Sequence, residues 1–143
     1  MSTESNKAIV QRFYEAFNGR KLPMLDEIVT PDFIDHNPGP GQPTGREGLK
    51  AALAGLQAAF PDMQIHIDGL LAEGDQVALR LTARGTNTGS LLGMPPSGRK
   101  VTFNAIDYYR LAAGRIVEAW HIEDWLGVMQ QLGALPEPEH RGL

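Results

Sequence analysis

Phe60-Pro61-Asp62-Met63-Gln64-Ile65-His66-Ile67 is the stretch where the apolar pattern changes period. Before Pro61 the apolar residues recur at helical spacing; after it they alternate. Met63, Ile65, Ile67 and later Leu71 share one parity. Past the turn Glu73-Gly74-Asp75, the residues Val77, Leu79, Leu81 and Ala83 alternate with Ala78, Arg80, Thr82 and Arg84. These two runs read as an antiparallel hairpin. Towards the C-terminus, residues 87–99 are a polar loop rich in Gly and Pro. Val101, Phe103, Ala105, Asp107, Tyr109 and Leu111 then mark one face of a third strand. Ala113-Gly114 turns the chain into a fourth strand, from Arg115 to about Asp124. A short helix follows from Trp125 to Leu132, and residues 134–143 read as a loose tail.

Towards the N-terminus, Leu49, Leu53, Leu56 and Phe60 form the apolar stripe of a helix that Pro61 ends. Thr44-Gly45-Arg46-Glu47 opens it with the pattern of a capping box. The segment Pro38-Gly39-Pro40-Gly41-Gln42-Pro43 can be neither helix nor central strand and reads as a stiff loop. Asn6 to Phe17 is an amphipathic helix through Ile9, Val10, Phe13 and Phe17, stopped at Gly19. Leu22 to Val29 is a second, short helical piece, with Pro23 tolerated in its first turn. Residues 32–37 are extended, and 33–36 are a candidate extra strand.

Three helices followed by four strands imply an α+β fold rather than a doubly wound sheet. A long, curved antiparallel sheet packed on three N-terminal helices makes a cone-shaped barrel with a pocket inside. The helices can cover only one face of that sheet, yet Val101, Phe103, Tyr109 and Val117 are divided between both. The leftover apolar face is expected to be buried by a second copy, giving a homodimer through the sheets.

The chain has 143 residues, the length of one domain spanning 1–143 with its core in 5–133. Its 42% hydrophobic and 21% charged residues are a globular balance. No cysteine is present, which excludes a disulfide scaffold, a thiolate zinc site and a cysteine nucleophile. Net charge is −4, which suits a soluble cytoplasmic protein and argues against nucleic acid as partner. The polar N-terminus has no apolar core of a secretory signal, and no apolar run approaches the ~20 residues of a membrane span. There is no Gly-rich phosphate loop and no Gly-x-Ser-x-Gly elbow. His36, His66, His121 and His140 lack the paired spacing of a metal site, and His121-Ile122-Glu123-Asp124 offers at most one His and one carboxylate. No metal site is therefore expected.

Several short pieces occur together in a set order: Phe33-Ile34-Asp35-His36-Asn37-Pro38, Phe60-Pro61-Asp62, Gly74-Asp75-Gln76-Val77-Ala78-Leu79-Arg80, Gly85-Thr86-Asn87-Thr88-Gly89, Gly93-Met94-Pro95-Pro96-Ser97-Gly98-Arg99, Gly114-Arg115-Ile116-Val117-Glu118-Ala119-Trp120, and Gln130-Gln131-Leu132-Gly133. In these the chain, over about residues 5–133, resembles the SnoaL-like polyketide cyclases, or ester cyclases. That family shares its fold with nuclear transport factor, ketosteroid isomerase and scytalone dehydratase. The resemblance implies a cone-shaped α+β barrel, a homodimer or larger assembly, and chemistry without metal or organic cofactor. It also implies an intramolecular aldol reaction that closes the last ring of a polyketide ester, with an Asp near the end of the last long strand as acid/base. Asp124 stands at that place. The chain departs from the family in having His121 after Trp120, where many relatives carry Asp, and Ser97 where Thr is usual.

Asp124 is thus the first candidate catalytic residue. An aldol closure needs a base for the proton next to a carbonyl and an acid for the new alkoxide. One carboxyl group does both if apolar walls such as Trp120 and Phe103 raise its pKa. The competing reading is an exposed N-cap of the helix starting Asp124-Trp125-Leu126-Gly127. His36 is a candidate donor to a substrate carbonyl, or else a loop residue bonded to backbone. His121 is the third catalytic candidate. On a regular strand it points away from Asp124, so both reach one pocket only if the strand bulges or ends between them. Tyr14, Phe17, Leu53, Phe103, Asp107 and Trp120 are the candidate substrate-binding residues, with Phe13 beside them. Asp107 shares parity with Phe103 and Tyr109; it is either inward and functional, or outward at a dimer interface. His66 falls on the solvated or interface face. The expected partner is a small apolar carbonyl compound. A non-catalytic domain for an apolar ligand and a dimeric interaction module are the competing functions.

Overall fold

Ser2 starts the first helix: its hydroxyl accepts from the Ser5 amide, and the Ser5 hydroxyl accepts from the Ser2 amide, a reciprocal cap. The helix, α1 (Thr3–Asn18), buries Val10, Phe13, Tyr14 and Phe17 along one face. The structure is a computed structural model, and it describes residues 2–136. A single 3-10 turn, Leu22–Met24, leads into α2 (Leu25–Ile28). The chain then extends as β1 (Val29–Asp35), crosses the Pro/Gly loop and forms α3 (Gly45–Ala59). Four long strands follow: β2 (Gln64–Glu73), β3 (Gln76–Thr86), β4 (Lys100–Ala112) and β5 (Arg115–Glu123). The last helix is α4 (Trp125–Gln131).

The sheet has the order β1-β5-β4-β3-β2. The four long strands pair antiparallel as expected, but β1 is a full strand lying parallel to β5, with Ile34 opposite Glu118 and Asp35 opposite Ala119. The sheet is therefore mixed and five-stranded rather than purely antiparallel. It is also open: β1 and β2 are its two edges, so the expected barrel does not close. α3 packs on the β1 edge and α1 on the β2 edge, and these helices rather than strand pairing wall in the hollow side. Pro31 fits this placement. It has no N–H to donate, and β1 is an edge whose register shifts between Val29 and Ile34.

A second irregularity explains a parity error in the sequence reading. Between Ile67 and Gly69 the pairing of β2 with β3 slips by one residue. Inward parity passes from Ile65 and Ile67 to Leu70 and Ala72, and Leu71 is left exposed.

α3 is held at both ends by backbone contact. Thr44 is its N-cap residue, yet the hydroxyl makes no capping bond, so the capping box expected there does not form. Arg46 instead donates to the carbonyls of Asp26 and Val29. Gly48 lies so close to Pro43 that a Cβ would overlap its carbonyl. At the other end Gly89 meets Ala58 equally closely, and the Gly89 amide donates to the Ala59 carbonyl (3.2 Å). Gln57 ties the helix to the Phe17 carbonyl at the end of α1.

No helix among the described residues is long and apolar enough to cross a membrane. Residues 137–143 of the expected tail, with His140, lie outside the described residues.

The two close approaches are testable. Gly48→Ala and Gly89→Ala force a methyl against backbone, which no rotamer relieves, and each should cost at least ~1–3 kcal/mol in a urea melt. Gly55→Ala, on the open side of the same helix with nothing within 4 Å, should instead stabilise by roughly 0.5–1 kcal/mol.

Candidate active site

The pairing of β4 with β5 decides which side chains meet. Ala105 lies opposite Glu123, Asp107 opposite His121, and Tyr109 opposite Ala119. Residues paired across strands share a face, so all six look into the hollow. β1 adds Phe33 and Asp35, and α1 adds Phe13 and Tyr14. α3 adds Leu49, Leu53 and Leu56, and Trp125 comes from the start of α4. Together they line a cavity of about 120 Å3. Its walls are apolar apart from Asp35, Asp107, His121, Glu123 and the two tyrosine hydroxyls.

These polar groups form two adjoining clusters. In the first, His121 lies between two carboxylates: Nε2 is 2.8 Å from Asp35 Oδ1, and Nδ1 is 2.5 Å from Glu123 Oε1. Burial alone would push the imidazole towards its neutral form. The two carboxylates override it and raise the pKa from 6.5 to about 10, so His121 is an imidazolium at neutral pH. Burial likewise opposes the charge on Asp35. Hydrogen bonds from His121, the Asn37 amide and Gln42 outweigh it and hold the carboxyl below its ordinary range.

In the second cluster, Tyr14 and Tyr109 both donate to Asp107 Oδ2, and the two hydroxyls are 2.7 Å apart. Burial raises the Asp107 pKa, and the nearby Glu123 charge adds to it, against the pull of the hydroxyls and the His121 charge. Burial also pushes both phenols well above 10. Among the described residues the hydrogen bonds fall on Asp107 Oδ2 and Glu123 Oε1, and none falls on Asp107 Oδ1 or Glu123 Oε2.

The sequence candidates divide cleanly. His121, Asp107, Tyr14, Leu53 and Phe103 line the cavity, as does Phe13. Asp107 is inward, not at the outer sheet face. His36, Asp124, Trp120 and Phe17 do not line it. Asp124 is exposed just beyond β5, and its carboxylate accepts from the Gly127 amide (2.9 Å) as the N-cap of α4. From Glu118 to Glu123 the strand runs regularly, so 121 and 123 point in, and 124 falls outside. Trp120 points out by the same parity. His36 is outside with it: the two rings stack in parallel at 4.3 Å, and His36 Nε2 is 2.7 Å from Glu118. Phe17 is fully buried in the core behind the cavity. The single cavity expected for His36, His121 and Asp124 therefore contains only His121.

Asp35 and Glu123 are not among the sequence candidates, and Tyr109 enters there only through its shared parity with Asp107. Glu123 and Tyr109 were accessible to a parity count from His121 and Asp107. Asp35 was not, because its position depends on the parallel pairing of β1. Among the described residues no group of three or more His, Cys, Asp or Glu side chains is arranged to hold a metal ion.

The profile of the SnoaL-like polyketide cyclase family matches residues 8–132. The chain is 32% identical over 139 residues to aklanonic acid methyl ester cyclase DauD of Streptomyces sp. (strain C5), covering 92% of this chain and 84% of that protein. Among solved structures it superposes on TsrD from Streptomyces laurentii with TM-score 0.86 and 31% identity, over 94% of this chain and 99% of that one. IdmH from Streptomyces antibioticus gives TM-score 0.80 and 38% identity, over 90% and 98%.

The raised His121 pKa fixes a sign. Between pH 6.5 and 10 the folded chain holds a proton that the unfolded chain has released, so stability falls as pH rises through this window. The contribution is complete below 6.5 and gone above the folded pKa. In urea melts at stepped pH, His121→Gln should flatten that alkaline decline. Asp124→Ala should remove about 1 kcal/mol at every pH by deleting the cap, while Asp124→Asn keeps it.

Proposed function

Since the chain belongs to the SnoaL-like polyketide cyclase family, we propose that it catalyses an intramolecular aldol ring closure on an ester-bearing polyketide, with Asp107 as the proton-transfer group. The observation that carries this reading is the facing pair Asp107 and His121, set in apolar walls. A cavity that only held an apolar ligand would have no use for buried carboxylates and an imidazolium, which are costly to desolvate.

Asp107 has one carboxyl oxygen held by two tyrosine hydroxyls and one free. Burial raises its proton affinity above that of an ordinary Asp, which suits a carboxyl group that must both accept and return a proton. The free Oδ1 takes the proton from the carbon next to the substrate carbonyl. The resulting enolate carbon attacks a second carbonyl of the same molecule, forming the ring bond and an alkoxide. The proton on Asp107 then passes to that alkoxide, and the carboxylate is restored. No proton is gained or lost overall.

His121 supplies the positive charge that the enolate and alkoxide oxygens need, in a site of low dielectric. Of its two partners Glu123 is the more exposed. Its side chain is 21% exposed against 9% for Asp35. The Nδ1–H is thus the bond that a substrate oxygen takes over, while Nε2 stays with Asp35. The enclosed space is close to that of one six-membered ring, so the reacting end of the substrate sits inside.

We also assign a homodimer to the outer face of the sheet, where Ile106, Trp120 and Ile122 are exposed in a patch that no helix covers. Light scattering at micromolar concentration should give twice the 15.6 kDa of the chain, and a monomer would remove the assignment.

The chemistry is tested with a panel of β-keto esters and polyketide methyl esters, following ring closure by mass spectrometry and absorbance. Asp107→Asn should lose ~10²–10⁴-fold in kcat while folding normally. Asp124→Asn should turn over at the wild-type rate. The opposite ranking of these two variants would defeat the assignment of Asp107.

A further inference from the structure

We propose that Gln42, outside the cavity in the Pro/Gly loop, is a positioning residue that aims His121 by acting through Asp35. The inference rests on the reading of the cavity as an active site.

The geometry begins with the backbone of the loop. The Gln42 amide donates to the Gly39 carbonyl (3.1 Å) around Pro40-Gly41, and Gly41 has φ +72. Proline in the first central position and a left-handed glycine in the second are the requirements of a type II turn. The Gln42 side chain then bridges this turn to the site. Its Oε1 accepts from the Gly39 amide (3.0 Å), and its Nε2 donates to Asp35 Oδ2 (2.9 Å). The first bond settles the orientation of the side-chain amide. Only the oxygen can face the Gly39 N–H, so the nitrogen must face Asp35.

Asp35 is consequently engaged on both oxygens. Oδ1 accepts from the Asn37 amide (2.9 Å) and from His121 Nε2, and Oδ2 from Gln42. Asn37 completes the cradle, because its own Oδ1 accepts from the His121 backbone amide (2.9 Å). A carboxylate held this way cannot rotate, and the imidazole it binds cannot either. The other ionisable groups facing the imidazole are Glu123 on its own strand, Asp107 and Tyr109 on β4, and Tyr14 on α1. α3 presents only Leu49, Leu53 and Leu56. Removing the Gln42 side chain would release Asp35 Oδ2 without touching the cavity wall.

Gln42→Glu separates this role from simple maintenance of the turn. Glutamate keeps the acceptor for the Gly39 amide but presents a second carboxylate to Asp35 in place of a donor. Gln42→Met, of similar length and without charge, is the companion should the glutamate variant fold poorly. Nitrogen-15 NMR of the histidine rings near pH 8 reads the outcome. The wild type should show both His121 N–H protons slowed in exchange by their carboxylate partners. Both variants should lose the Nε2–H signal, keep the Nδ1–H signal and retain the wild-type backbone spectrum. In turnover, kcat should fall about 10- to 100-fold with KM within about threefold, as expected for a misaimed group. A wild-type His121 ring spectrum in folded Gln42→Glu or Gln42→Met overturns the proposal. The NMR arm needs no substrate, so it stands or falls separately from the cyclase reading, whose own failure would appear as absence of ring closure by the wild type.

Discussion

The parallel contact between β1 and β5 is the constraint on which the site depends. β5 alone would present His121 beside Glu123, a neighbour of its own strand. Laying Asp35 opposite Ala119 brings a second carboxylate onto the other ring nitrogen and converts a titrating histidine into a fixed cation. The same contact places Phe33 in the cavity wall and starts the loop that carries Asn37 and Gln42. It also determines the openness of the sheet. With β1 as an edge, the hollow is closed by the sides of α1 and α3, and the cavity wall facing the strands is helical.

The polar wall shows how one low-dielectric pocket holds groups of opposed behaviour. Burial acts on Asp35, Asp107 and His121 alike, against the charge in each case. What differs is the partner. Asp35 receives three donors and stays ionised. His121 receives two carboxylates and stays protonated. Asp107 receives only neutral hydroxyls as donors, and these with the His121 charge do not offset burial and the Glu123 charge, so its proton affinity rises. Environments that push neighbouring titratable groups in opposite directions are the usual basis of acid and base assignments.

Much of the fold was legible in the sequence. The change of period at Pro61, the hairpin about Gly74 and the strand parity of Phe103, Asp107 and Tyr109 all come from local alternation, and they appear in the structure in that form. What failed was non-local. A parallel pairing leaves no local mark, so β1 was read as four residues and Asp35 went unnoticed. The slip between Ile67 and Gly69 inverted the parity of Leu71. Asp124 was chosen because its position in the chain matched a family pattern, although the alternation itself assigns 121 and 123 to one side and 124 to the other. Its fit to an N-cap was a local signal, and that is the role its carboxylate has. Trp120 and His36 were placed in the cavity for their chemistry; parity puts them on the opposite face, stacked on each other.

The two glycine contacts of α3 divide the chain into positions with very different freedom to change. Residues 48 and 89 are closed to every side chain, since even a methyl group meets a carbonyl. Between these fixed points Leu49, Leu53 and Leu56 project from a rod that cannot drift, and the outer side of the rod carries small, exposed residues with no packing to lose. Exchanging a leucine there for a smaller or larger residue recuts one wall of the cavity while the polar wall, on the strands, keeps its geometry. Three positions on α3 therefore set the shape of the cavity independently of its polar wall.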